Sequence, residues 1–312
     1  MRHLLIDTDT ASDDAVALIM ALKYPGVNVE AITVVAGNVG VDQGVKNALY
    51  TVGLCHKRTK VFRGAAKPLL RELETAQHVH GQDGMGDIGL DFNDYSASEG
   101  NAIDVIIDTI YKFSGQIEII TLGPLTNLAI AIAKQPEIVN MVKSCHVMGG
   151  VGYGEGNITP VSEYNMWADP EAARLVFQSK MPITMIGWDV ARESAWFDRE
   201  TIDMIRSLNT PLAEFSMDIQ KTVGEFQENL SGNEGFHIPD PITMAIALDD
   251  RIKLKSKRLY VDIMISDGYT RGQTIVDHTG VTRQAANIEV VLKASTEKFL
   301  SLIKCTHQGK VG

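Results

Sequence analysis

Up to Asp189 the chain alternates short apolar runs with amphipathic stretches, and this alternation constrains the fold more than any other feature. The runs are LLID (Leu4 to Asp7), VEAITVVAG (Val29 to Gly37), KVFRG (Lys60 to Gly64), IEIITLG (Ile117 to Gly123), HVMGG (His146 to Gly150) and PITMIGWD (Pro182 to Asp189). Between them lie DDAVALIMALKY, GVKNALYTVGLC and LTNLAIAIAK, whose apolar positions recur at three and four, the period of a helix face. Strand, helix, strand in this order predicts an α/β fold: an open, Rossmann-like, mainly parallel central sheet flanked by helices, with ligands at the carboxyl ends of the strands. From about Ala195 onward the pattern turns helical, including TPLAEFSMDIQKTVGEFQ, before two late strands near Leu259 to Ile265 and Ala285 to Leu292. This part is expected to form a helical appendage in the C-terminal third. No linker, repeat or block of like charge divides the chain, so residues 1–312 are expected to form a single domain.

With 312 residues, 45% of them hydrophobic, the chain can bury a core without help from a disulfide. Its formal net charge of -10 argues against a phosphate-rich polymer such as nucleic acid as partner, because there is no surplus of Lys and Arg to displace counterions. Cys55, Cys145 and Cys305 are odd in number and widely spaced, and are expected to be reduced core thiols. The apolar start MRHLLID is too short for a signal peptide, and no run of eighteen apolar residues occurs. A soluble, cytoplasmic protein with no membrane partner is expected.

The segment DTDTASDDA (Asp7 to Ala15) follows the first strand directly and carries four carboxylates. Such a cluster is costly unless a cation or structural partner compensates. Oxygen donors without nearby Cys or paired His point to calcium or magnesium. A plainer reading has Ser12 capping a helix whose first turn contains Asp13 and Asp14; it accounts for two of the four. The Gly-rich segment Met148 to Asn157 is long for a turn and is expected to be a functional loop.

The acidic segment resembles the N-terminal fingerprint of nucleoside hydrolases, Asp-x-Asp, a turn, then Asp-Asp-Ala. Further matches follow in order: VAGN ending at Asn38, HGQDGMG (His80 to Gly86), LGPLTN (Leu122 to Asn127), VMGG, GNITPVSEYNMWADPEAA (Gly156 to Ala173) and the Asp240–Pro241 pair. The resemblance implies hydrolysis of the N-glycosidic bond of ribonucleosides. It implies a Ca²⁺ held by Asp9, Asp14, Asp240 and the Leu122 carbonyl, with Asp13 as general base for the attacking water. It also implies that Asn38, Asn157, Glu163 and Asn165 hold ribose hydroxyls, that Met148 lines the sugar, and that His80 sits on a loop over the substrate. Asp7 and Asp189 are expected to act as supports, and Trp188 as buried packing. A homodimer or homotetramer is expected.

At the residue before Asp240 the family often has His, which helps protonate the departing base, or Trp, which stacks on a purine; this chain has Pro239. Proline does neither, so a broad base preference is expected, with His80, His237 or polar groups of GEFQENLSGNEGF as substitutes. Two rivals remain open. LLIDTDTA also resembles the motif of haloacid-dehalogenase-like phosphatases, with Asp7 as nucleophile and Mg²⁺ as metal, and a non-catalytic calcium-dependent nucleoside or ribose binding protein would keep the same ligands.

Overall fold

Each of the six apolar runs contains a strand. The computed structural model describes residues 1–93 and 95–308, and in it they form β1 (Arg2–Thr8), β2 (Val27–Val34), β3 (Val61–Arg63), β4 (Ile117–Thr121), β5 (Ser144–Met148) and β6 (Ile183–Ile186). A two-stranded hairpin, β7 (Trp196–Phe197) with β8 (Phe236–His237), stands apart. β9 (Lys253–Ile263), β10 (Thr274–Asp277) and β11 (Ile288–Ala294) complete a nine-stranded sheet of order β10-β9-β11-β6-β5-β4-β1-β2-β3. From β3 across to β11 every neighbouring pair is parallel, while β9 runs antiparallel to both β11 and β10. The late strands Leu259 to Ile265 and Ala285 to Leu292 correspond to β9 and β11; β10 and the hairpin carry too few apolar residues to be read from the sequence.

β4 is buried at every position, as a strand covered by helices on both faces must be. The chain moves outward from β1 to β2 and β3, then crosses back to β4 and continues to β5 and β6 on the other side. The reversal opens a crevice between the carboxyl ends of β1 and β4, where Asp7 lies in register with Thr121. It puts the acidic segment and Leu122 side by side.

The helix Ser12–Lys23 is buried from Ser12 to Leu22, so its apolar spacing does not leave a solvated face. The helices Val41–Leu54, Pro239–Leu248 and Thr296–His307 enclose it. Ser12 is not the cap; Ala11 is, and the Asp14 carboxylate accepts the Ala11 N–H at 2.9 Å.

The appendage comprises the helices Arg199–Arg206, Pro211–Asp218 and Lys221–Ser231. TPLAEFSMDIQKTVGEFQ is thus two helices, broken at Ile219 and Gln220, both of which are buried. The HGQDGMG loop crosses the break so closely that a Cβ on Gly86, at φ +73, would stand 2.6 Å from the Ile219 carbonyl oxygen. Cys55 and Cys145 are buried, and burial pushes both thiols up to about 12; Cys305 is exposed, against the expectation of a core thiol. It lies on the outer face of the C-terminal helix, where the buried positions include Phe299 and Ile303. Among the described residues no helix is long and apolar enough to cross a membrane.

Candidate active site

Two helix N-termini meet at the crevice. Asp13 and Asp14 occupy the first turn of Ser12–Lys23, and Asp240 the first turn of Pro239–Leu248, which starts at Pro239, a residue already bent to the helical φ. Oxygens of Asp13, Asp14 and Asp240 lie within 4.8 Å of one another. The positive ends of both helix dipoles face these carboxylates and offset part of their repulsion, about 0.3–2 kcal/mol per end. Asp9 comes to the same place from the end of β1, with one oxygen accepting the Asn38 N–H at 2.6 Å. Gly37 and Gly123 press against it, and a Cβ at either would collide with its carboxylate.

These acids are buried, and Asp9 Oδ1, Asp13 Oδ1 and Asp240 Oδ1 have no hydrogen-bond partner among the described residues. Burial first, then mutual repulsion, pushes Asp9 and Asp240 well above the ordinary carboxylate range. Burial raises Asp13 and Asp14 to about 6, and the charge of Asp13 adds to the effect on Asp14. Unpartnered oxygens facing one another in a buried crevice fit a hard divalent cation, and among the described residues no nitrogen or sulfur donor joins the group.

Asp7 sits beneath the cluster, accepting Thr33 Oγ1 at 2.5 Å and Asn127 Nδ2 at 2.8 Å. Burial raises it to about 7. Asn127 also accepts the Ala65 N–H, and Thr126 donates to Asp169, so the LTN and ADP segments act as buttresses that tie loops to the floor. Asp189 accepts the amides of Gly152 and Tyr153 and holds the Gly-rich loop. Leu122 presents its carbonyl at the floor, where Asn165 Nδ2 donates to it at 2.7 Å.

A cavity of about 510 Å³ opens above. Asp13, Asn38, His80, Leu122, Met148, Asn157, Glu163, Asn165 and Asp240 all line it, while Asp9 and Asp14 lie underneath. Glu163 caps the short helix Tyr164–Ala168, accepting from Asn165 N and Met166 N as well as Gly150 N, and burial raises it to about 7. Asn157 is exposed at the rim and accepts the Tyr164 N–H at 2.9 Å.

The outer wall was largely hidden in the sequence. Val223, Phe226, Gln227 and Leu230 of the helix Lys221–Ser231 line it, although no residue of that helix is buried. Trp188, expected as buried packing, is half-buried at the start of its helix and lines the cavity, because the strand ends two residues earlier at Ile186. Its ring stands 5.2 Å from that of His237, which Trp196 flanks at 4.6 Å. His80 lies nearer the acids, its Nδ1 3.9 Å from Asp13 Oδ1.

The profile of the inosine-uridine preferring nucleoside hydrolases matches residues 4–301. The chain belongs to that family. It is 31% identical over 303 residues to the pyrimidine-specific ribonucleoside hydrolase RihB of Escherichia coli, covering 97% of this chain and 96% of RihB. A purine-preferring ribonucleoside hydrolase from Gardnerella vaginalis superposes with a TM-score of 0.91 at 30% identity, over 99% of this chain and 98% of that one. A plant nucleoside hydrolase gives 0.93 at 26% identity, over 99% of each chain. This nucleoside hydrolase is therefore an enzyme of ribonucleoside N-glycosidic bond cleavage.

The acids make stability depend on pH once metal is stripped. A carboxyl whose pKa is raised by folding stabilises the fold fully below its unfolded value, near 3.8, and that contribution is lost as pH rises through the folded value, about 6 for Asp13 and Asp14. Chelated protein should therefore melt at lower temperature as the pH is raised from about 4 to 7, and added divalent cation should restore stability above that window. Chelated protein that melts higher at pH 8 than at pH 5 would contradict this electrostatic account.

Proposed function

We propose that this nucleoside hydrolase is calcium-dependent, that Asp9, Asp14, Asp240 and the Leu122 carbonyl hold the ion, and that Asp13 is the general base. The observation that carries this reading is the set of buried, unpartnered oxygens on Asp9, Asp13 and Asp240 at the floor of a cavity large enough for a nucleoside. Calcium favours many oxygen ligands in a flexible shell, and such a set leaves room for sugar hydroxyls. Bound there, it supplies Lewis acidity to the attacking water and an electrostatic anchor for the ribose hydroxyls.

Asn38, Asn157, Glu163 and Asn165 orient the ribose, and Met148 packs against its ring. Asp13 Oδ1 takes a proton from the water whose oxygen bonds to C1′. The bond from C1′ to the base nitrogen breaks as positive charge develops on the ribose, a charge that the surrounding carboxylates favour. His80 meets the base and hydrogen-bonds it as it departs. Pro239 has no proton to give, so this chain is assigned a broad base preference. The named relatives, one pyrimidine-specific and one purine-preferring, are 31% and 30% identical to this chain and do not select between base classes. A phosphatase reading would need Asp7 as an open nucleophile, whereas Asp7 is buried, bonded to Thr33 and Asn127, and absent from the cavity wall.

Asp13→Asn should lower kcat for ribonucleosides by at least about 10²-fold with little change in substrate binding. Asp9→Ala and Asp240→Ala should instead lose the ion and the ribonucleoside together. Measured binding and turnover across purine and pyrimidine nucleosides and their 2′-deoxy partners decide the matter; equal loss of binding in all three variants would remove Asp13 from the role of base.

The assembly is proposed to be a homodimer or homotetramer. Ile275 is exposed on the edge strand β10, as are Tyr269 and Val281 in the segments before and after it and Tyr153, whose ring meets His278. Light scattering should give two or four chains per particle, and a monomer would refute the assignment.

A further inference from the structure

His80 is held by Ser12, and Ser12 is held in turn by Gln220. Ser12 Oγ stands 3.0 Å from His80 Nδ1 and donates to Gln220 Oε1, also at 3.0 Å. Ser12 and Gln220 are both buried, Gln220 at the break between the helices Pro211–Asp218 and Lys221–Ser231. His80 lines the cavity, and its Nε2 has no protein partner among the described residues.

A hydroxyl placed between an imidazole and a carboxamide passes the amide's orientation on to the ring as a tautomer. With Oε1 toward Ser12, the hydroxyl donates to Gln220 and accepts from His80 Nδ1–H, which leaves Nε2 bare. A half-turn of the carboxamide reverses the chain: Gln220 donates to Ser12, Ser12 donates to Nδ1, and His80 carries its proton on Nε2. The first arrangement strands the Gln220 Nε2 amide buried with no partner. The second strands a carbonyl instead, the less costly of the two to leave unpaired. Burial pushes the His80 imidazole down to about 4, and a cation among the neighbouring aspartates acts in the same direction, so the ring meets substrate neutral. Tautomer, rather than charge, then decides whether it donates or accepts.

We propose that Ser12 and Gln220 are positioning residues that hold neutral His80 as its Nε2–H tautomer, aimed at the departing nucleobase. The inference rests on the assignment of His80 to the base given above. As the bond from C1′ breaks, its electron pair goes to the base nitrogen, and the Nε2–H donates a hydrogen bond to the base as negative charge grows there. No proton leaves the neutral ring. The base is released as an anion and takes its proton from solvent, while Asp13 returns the proton taken from water.

The test compares two substrates on the calcium-loaded enzyme: uridine, whose base needs help to leave, and p-nitrophenyl β-D-ribofuranoside, whose leaving group departs unaided. The ratio of kcat on the first to kcat on the second should fall about tenfold in Ser12→Ala and in Gln220→Met, the worth of roughly one hydrogen bond to developing charge. Ser12→Thr, which keeps the hydroxyl, should return the ratio to near that of the unmodified enzyme, and His80→Ala should lower it at least as far as Ser12→Ala. Nitrogen NMR of His80 in the unmodified protein should find the proton on Nε2. A ratio unchanged in Ser12→Ala and Gln220→Met while His80→Ala lowers it would overturn the relay alone. A ratio unchanged in His80→Ala would overturn the assignment of His80 to the base, and the relay with it. A proton on Nδ1 would overturn the relay regardless of the rates.

Discussion

Four buried carboxylates that repel one another sit where two helices and two strands end, and the surrounding architecture is arranged to tolerate them. Left alone, such a cluster would take up protons or loosen the fold. It persists because helix N-termini face Asp13, Asp14 and Asp240, because backbone amides bond Asp9 and Asp14, and because a cation can neutralise what remains. The close approach of Gly37 and Gly123 to Asp9 belongs to the same arrangement.

The sheet order supplies the place for this cluster. Reversal of strand order between β1 and β4 leaves a gap that no crossover helix fills, and everything exiting β1 turns into it. Pro239–Leu248 is one of the three helices that bury Ser12–Lys23, and its packing brings Asp240 to Asp13 and Asp14. Supports reach in from distant segments: Asn127 through Asp7, Asp169 through Thr126, and Asp189 through the Gly-rich loop. The floor is therefore tied down at several points. The outer wall, made by a helix with no buried residue, is held by far less.

That contrast explains what was legible in the sequence. Strands buried on both faces announce themselves as apolar runs, and the acidic segment stands out because nothing local neutralises it. Asp240 is distant in sequence, and only resemblance to a family joined it to Asp13 and Asp14. Short or half-polar strands such as β7, β8 and β10 carry no periodic signal. Trp188 is not legible because apolar residues look the same whether they pack inward or line a cavity. A helix likewise keeps its apolar spacing when a tertiary contact such as that of Gly86 interrupts it. Ser12 suits a cap by its residue type, whereas its hydroxyl meets His80 and Gln220.

The central claim is that the acids exist to hold an ion which in turn holds the ribose. If so, ion and sugar must strengthen one another's binding by the same factor, since binding couplings are reciprocal. The most direct measurement is calorimetric titration of Ca²⁺ into chelated protein, alone, with saturating ribose, and with saturating 2-deoxyribose. Ribose should tighten calcium binding about tenfold or more, and 2-deoxyribose, which lacks a hydroxyl to offer the ion, should do so much less. Calcium affinity that is indifferent to ribose, or equally improved by 2-deoxyribose, would contradict the account.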